Sequence, residues 1–196
     1  MNREEFEKLR EKLEKALSAK RYNHTLGVAY TAACLAMRYG VDPEKAELAG
    51  LLHDCAKEYS VKEMIEVGER NGLSFTKADL DAPQVLHAVI GPFVAGSRYG
   101  VTDPEILSAI RWHTTGHADM TLLEKIIFTA DYIEPNRDKA EDLPVVRPLS
   151  FRDLTACVFR ITEDTLSYLK KKQVPVNPGT MECYEWLKEN GTHDSK

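Results

Sequence analysis

The chain is poor in several features that would have settled its class at once. Its four cysteines, Cys34, Cys55, Cys157 and Cys183, are widely spaced and form no C-x-x-C pair. That scatter fits the reduced, partly buried thiols of a cytoplasmic protein. No apolar run is long enough to span a bilayer. Met1-Asn2-Arg3-Glu4-Glu5-Phe6-Glu7-Lys8 lacks the apolar stretch of a signal peptide, so neither membrane insertion nor export is expected. Internal repeats and low-complexity tracts are missing. Positive charge is not in excess: Lys and Arg number 26 against 31 Asp and Glu, for a formal net charge of -5. A protein that coats nucleic acid is usually basic. An anionic small molecule needs only a local basic pocket. Strand alternation bounded by hairpin turns is absent as well.

What is present is helical periodicity. Hydrophobic residues make up 43% and charged residues 29% of 196, enough for one domain with a real core. Phe6, Leu9, Leu13, Ala16 and Leu17 form one stripe and predict an amphipathic first helix. A second helix is expected over about 22–39, stopped by Gly40. Asp42-Pro43 starts a third, carrying Ala46, Leu48, Ala49, Leu51 and Leu52. Ser60 and Glu63 make a capping box for a fourth. Pro83 opens a helix toward Tyr99 that Gly91-Pro92 should kink or interrupt. Asp103-Pro104 starts a helix through Trp112, ended by Gly116. Thr121 and Glu124 cap one through Ile133, closed by Pro135 and Asn136. A long helix over about 150–171 follows, Pro175 and Pro178 break the chain, and a last helix covers 180–190. The expected fold is all-α, a single-domain helical bundle over 1–192 with a frayed tail at 193–196.

The informative pattern is the placement of His and Asp. His24, His53, Asp54, His87, His113 and Asp131 each fall on a predicted helix or at its end. Leu51-Leu52 precedes His53-Asp54, and Ile126-Ile127-Phe128-Thr129-Ala130 precedes Asp131. An aspartate after such a run is buried and needs a partner, either a metal ion or a salt bridge. A lone histidine on an apolar helix is usually a hydrogen-bonded core residue, and His117 and His193 fit that reading best. His117, four residues after His113, keeps a supporting or substrate role open. Cys55 follows the His-Asp pair but is not needed as a ligand when histidines suffice.

Histidine, then His-Asp, then a distant Asp resembles the HD-domain superfamily of metal-dependent phosphohydrolases. Longer segments narrow the match. Arg21-Tyr22-Asn23-His24-Thr25-Leu26-Gly27-Val28, Ala49 to Lys57, Trp112-His113-Thr114-Thr115-Gly116 and Ala130 to Arg137 resemble the YqeK family, bis(5'-nucleosyl)-tetraphosphatases of the symmetrical type. The resemblance runs from about 20 to 187. In one departure, Ala88-Val89-Ile90 separates His87 from Gly91-Pro92, which leaves the aim of His87 open.

The resemblance implies an HD-type bundle in which His24, His53, Asp54 and Asp131 form the metal shell. Two imidazoles and two carboxylates suit iron, manganese, cobalt or zinc, and the family favours iron. His87 and His113 leave two readings: a second metal bridged by Asp54, or direct contact with substrate phosphates, which we favour. Lys57 shares a helix face with Asp54 and can reach a phosphate or the leaving group. Arg21 and Arg137 suit phosphate through their planar forks, and Thr114 and Gly116 offer a hydroxyl and a close backbone approach. The segment 175–180 reads equally as a loop near the nucleotide or a plain turn. The implied reaction is hydrolysis of diadenosine tetraphosphate and related dinucleoside tetraphosphates to two ADP by metal-activated water, with Asp54, Lys57 and Asp131 as catalytic groups. The implied partner is thus a small nucleotide, with no nucleic acid and no membrane, and with room for a homodimer. Rival expectations are an HD-type nucleotide phosphatase or cyclic-nucleotide phosphodiesterase, a non-catalytic nucleotide sensor, and a plain helical interaction module.

Overall fold

Helix starts follow their caps. The computed structural model describes residues 3–191, so the expected tail and His193 lie outside the described residues. α1 spans Arg3–Glu14. α2 spans Ala19–Tyr39, starting earlier than the periodicity suggests because Ser18 accepts from the Arg21 amide. α3 spans Pro43–Leu52 behind the Asp42 cap, and α4 spans Val61–Arg70 behind the Ser60–Glu63 capping box. A short α5, Lys77–Asp81, leads to a 3-10 turn at Pro83–Val85 and then α6, Leu86–Tyr99. α7 is Pro104–Trp112 and α8 is Leu122–Ile133. α9 is Leu143–Ser150, α10 is Leu154–Lys172 and α11 is Pro178–Asn190. No strand occurs among the described residues. The chain is all-α and forms one domain.

Three expectations change. Gly91-Pro92 does not interrupt α6, which runs on through Pro92. The lost amide donor is outweighed by packing, since α6 lies against α4 and α7 and Gly91 sits tight on Ile110. The long helix expected from about 150 is two elements, because Asp153 caps a new start at Leu154 and α9 precedes it. Pro178 opens α11 at its first position under the Asn177 cap rather than breaking it.

The core gathers where α2 packs on α3 and α8, and where α7 packs on α3, α6 and α8. Leu35, Leu51, Leu52, Ile90, Ile110, Ile126 and Ile127 are fully buried there. Ala29 and Ala32 on α2 and Ala46, Ala49 and Gly50 on α3 are buried, and the two helices touch where Gly50 meets Ala29. A Cβ at Gly50 would stand 2.9 Å from Ala29 Cα and 3.1 Å from Ala29 N, both backbone atoms. That close approach brings the rings of His24, on α2, and His53, just after α3, to a centroid distance of 5.3 Å. Gly50→Ala should therefore lower stability by about 1–3 kcal/mol, measured by urea denaturation. An unchanged midpoint would show that the two helices can part there without cost.

Candidate metal centre

The chemistry-bearing residues converge because they sit at helix ends. His53 and Asp54 follow α3 directly, in a turn tied by the Cys55 amide to Leu52 O and the Lys57 amide to Asp54 O. His87 lies in the first turn of α6, His113 follows α7, and Asp131 is in the last turn of α8. His24, His53, Asp54, His87 and His113 are all buried, and Asp131 is half-buried.

The protons on three of the rings are fixed from behind. His53 Nδ1 is 2.6 Å from Gly50 O, and His113 Nδ1 is 2.8 Å from Ile110 O. A carbonyl only accepts, so each Nδ1 carries the proton and each Nε2 is left as a lone pair. His24 Nδ1 donates in the same way to Glu134 Oε1 at 3.0 Å. The Nε2 atoms then face carboxylate oxygens. His24 Nε2 is 3.0 Å from Asp131 Oδ1, and His53 Nε2 is 3.3 Å from Asp54 Oδ2 and 3.8 Å from Asp131 Oδ1. Neither Nε2 makes a well-formed hydrogen bond, and Asp54 Oδ1 has only the ring nitrogens His87 Nε2 at 3.0 Å and His113 Nε2 at 3.6 Å beside it, although all three atoms are buried. Lone pairs facing oxygens in a buried place call for a cation. His24, His53 and Asp131 place one ligand atom each within 4.8 Å of the others, and so do His53, Asp54 and His113.

Electrostatics point the same way. Burial disfavours charge on Asp54, but His53, His113 and His87 reverse this and hold its carboxyl well below the usual range. Asp131, likewise opposed by burial, is held low by His24, Arg137 and His53. Burial would lower the His24 imidazole, but Asp131 and Glu134 raise it instead. The raised His24 pKa means that a metal ion at Nε2 would compete with a proton.

The HD-domain family profile matches residues 21–136. The chain belongs to the HD-domain family. It is similar to the Bacillus subtilis protein described as bis(5'-nucleosyl)-tetraphosphatase, symmetrical, with 41% identity over 187 residues, 95% of this chain and 98% of that one. A Halalkalibacterium halodurans protein of the same description is 42% identical over 171 residues, 87% and 90% of the two chains. A solved Clostridium acetobutylicum structure, described as a predicted HD superfamily hydrolase involved in NAD metabolism, superposes with a TM-score of 0.91. It is 36% identical and matches over 94% of this chain and 97% of that chain. The HD fold implies a divalent metal, and the orphaned atoms above suit one.

Cations ring this HD centre. Arg21 Nη1 is 2.7 Å from Asp54 Oδ2, and Arg137 Nη2 is 2.7 Å from Asp131 Oδ1. Both arginine side chains keep exposed surface, 29% for Arg21 and 45% for Arg137. Lys57 Nζ lies 3.2 Å from His87 Nε2, and burial lowers its pKa. His87 Nε2 reaches Asp54 Oδ1 at 3.0 Å and His113 Nε2 at 3.2 Å, so the spacer before Gly91-Pro92 does not turn it away. The hydroxyl of Thr114, the residue after His113, is buried without a partner. No helix among the described residues is long and apolar enough to cross a membrane.

Other residues stand apart from the cluster. Cys55 turns its thiol to Gly91 O, 3.6 Å away. His117 pairs with buried Glu124 at 3.0 Å and packs on Trp112. Gly116 takes φ +62 against Cys183, and Gly179 abuts its carbonyl, so the 175–180 segment braces the turn after His113. Sequence reasoning did not single out Glu134. It is buried and falls three residues after Asp131, a spacing that could have marked it as sharing a helix face.

Burial, with help from the charges of His113 and Lys57, pushes His87 down to about 4. The unfolded imidazole titrates near 6.5. The folded value is the lower one, so its stabilising contribution is present above about pH 6.5 and drains as pH falls toward about 4. His24, raised, acts in the opposite sense. In metal-free protein, urea midpoints across that window should therefore fall less for His87→Asn than for the wild type. Equal losses would show that His87 is already protonated in the native site.

Proposed function

We propose that this chain hydrolyses dinucleoside tetraphosphates, diadenosine tetraphosphate above all, at a central phosphorus to give two ADP. One observation carries the reading. Orphaned imidazole and carboxylate atoms share a site with Arg21, Lys57 and Arg137, in a chain that matches symmetrical tetraphosphatases over nearly its full length. His24, His53, Asp54 and Asp131 would hold the ion, with iron as our choice and manganese, cobalt or zinc compatible with the same donors. When bound, the ion supplies Lewis acidity, which lowers the pKa of water and polarises a phosphoryl oxygen.

The chain's own groups supply the rest. Arg137 and Arg21 each offer a planar fork to phosphoryl oxygens. Lys57 offsets charge on the leaving oxygen, and its ammonium, held partly out of water, acts at high strength. His87 stays neutral at neutral pH and gives one hydrogen bond. The depressed pKa of Asp131 makes it an acceptor that orients the attacking water more than a strong base. The Lys57 ammonium beside His87 opposes a second dication there, which favours phosphate contact for His87 and His113. The buried thiols of Cys55, Cys157 and Cys183 suit a reducing compartment, and we assign the protein to the cytoplasm.

Chromatographic product analysis tests this. Diadenosine tetraphosphate with iron or cobalt should give ADP as the sole early product, and Asp54→Ala should give none. Lys57→Ala should lower kcat by roughly 10²–10³-fold. ATP plus AMP would reject the cleavage position, and nucleoside plus phosphate from monophosphates alone would move the assignment to a nucleotide phosphatase.

A further inference from the structure

We propose that Glu134 is the positioning residue for the His24 ligand, and that position 27 is glycine because the Glu134 carboxylate occupies the place of a side chain there. The inference rests on the metal reading of the site. Glu134 is 1% exposed, directly after α8, and both of its oxygens are engaged. Oε1 accepts from His24 Nδ1 at 3.0 Å. Oε2 accepts from the Asn136 amide at 2.7 Å and from Asn136 Nδ2 at 3.0 Å. A Cβ at Gly27, three residues after His24, would stand 2.3 Å from Oε2.

The turn that carries Glu134 is itself held from outside. Arg147 on α9 donates to the carbonyls of Ile133 at 3.0 Å, Glu134 at 3.0 Å and Arg137 at 2.8 Å. The carboxylate therefore cannot drift without breaking contacts on two elements. Its hold on Nδ1 fixes the tautomer, aims the Nε2 lone pair at Asp131 Oδ1 and raises the basicity of the ring. A carboxylate behind a ligating histidine does this in metal sites generally, and its loss typically costs 10–100-fold in affinity. The same turn, closed by the Arg137 amide on Glu134 O, also carries Arg137 to Asp131.

The test is Mn²⁺ binding by calorimetry, with the urea midpoint of the metal-free protein recorded beside it. Glu134→Ala should weaken Mn²⁺ roughly 10–100-fold. Glu134→Gln keeps one acceptor for Nδ1 but cannot accept from Asn136 as well, so its loss should be smaller. Gly27→Ala, which forces the carboxylate away without removing it, should weaken Mn²⁺ in the same direction. Should Glu134→Ala fail to fold, the Gln and Gly27 variants decide the matter. Wild-type Mn²⁺ affinity in folded Glu134→Gln and Gly27→Ala would overturn the assignment. No Mn²⁺ binding by the wild type would instead overturn the metal reading beneath it.

Discussion

The structure turns on the convergence of imidazole lone pairs and carboxylate oxygens in a buried place. Backbone carbonyls at Gly50 and Ile110 fix the protons of His53 and His113 on Nδ1, and Glu134 does the same for His24. With those protons spoken for, His24 and His53 present bare Nε2 atoms to Asp54 and Asp131. Such a set is repulsive on its own, and burying it without a counter-charge would cost several kcal/mol per ion. The fold holds it in place, and the divalent cation that the HD fold implies would resolve it. Arg21 and Arg137 each pair with one of the two aspartates while keeping exposed surface.

The bundle serves this convergence. Small residues let α2 and α3 close to backbone contact, which places His24 beside His53. The other groups arrive from helix ends, where the chain changes direction and side chains from α3, α6, α7 and α8 can meet at one point. Arg147 pins the exit of α8, and the α11 start braces the turn after His113. The site is thus supported by local hydrogen bonds that touch no ligand directly, the kind of support that keeps a donor set aligned before substrate arrives.

Much of this was legible in the sequence, and the rest was not for identifiable reasons. Caps and capping boxes marked α3, α4, α7 and α8 because Asp-Pro and Ser/Thr-x-x-Glu act locally. α9, with Pro148 inside, and the unbroken α6 were hidden because tertiary packing overrides local propensity there. His24, His53, Asp54 and Asp131 stood out by residue type after apolar runs. Glu134 and Gly27 did not, since their meaning lies in a contact between residues 110 apart for the first and in room left for a carboxylate for the second.

The most direct measurement is a crystal structure of metal-loaded protein, with anomalous data collected on both sides of the metal's absorption edge. The donor set predicts a strong peak bonded to His24 Nε2, His53 Nε2, Asp54 and Asp131, with the His24 and His53 Nδ1 contacts intact. Full metal loading with that peak elsewhere, or with both Nε2 atoms unligated, would contradict it.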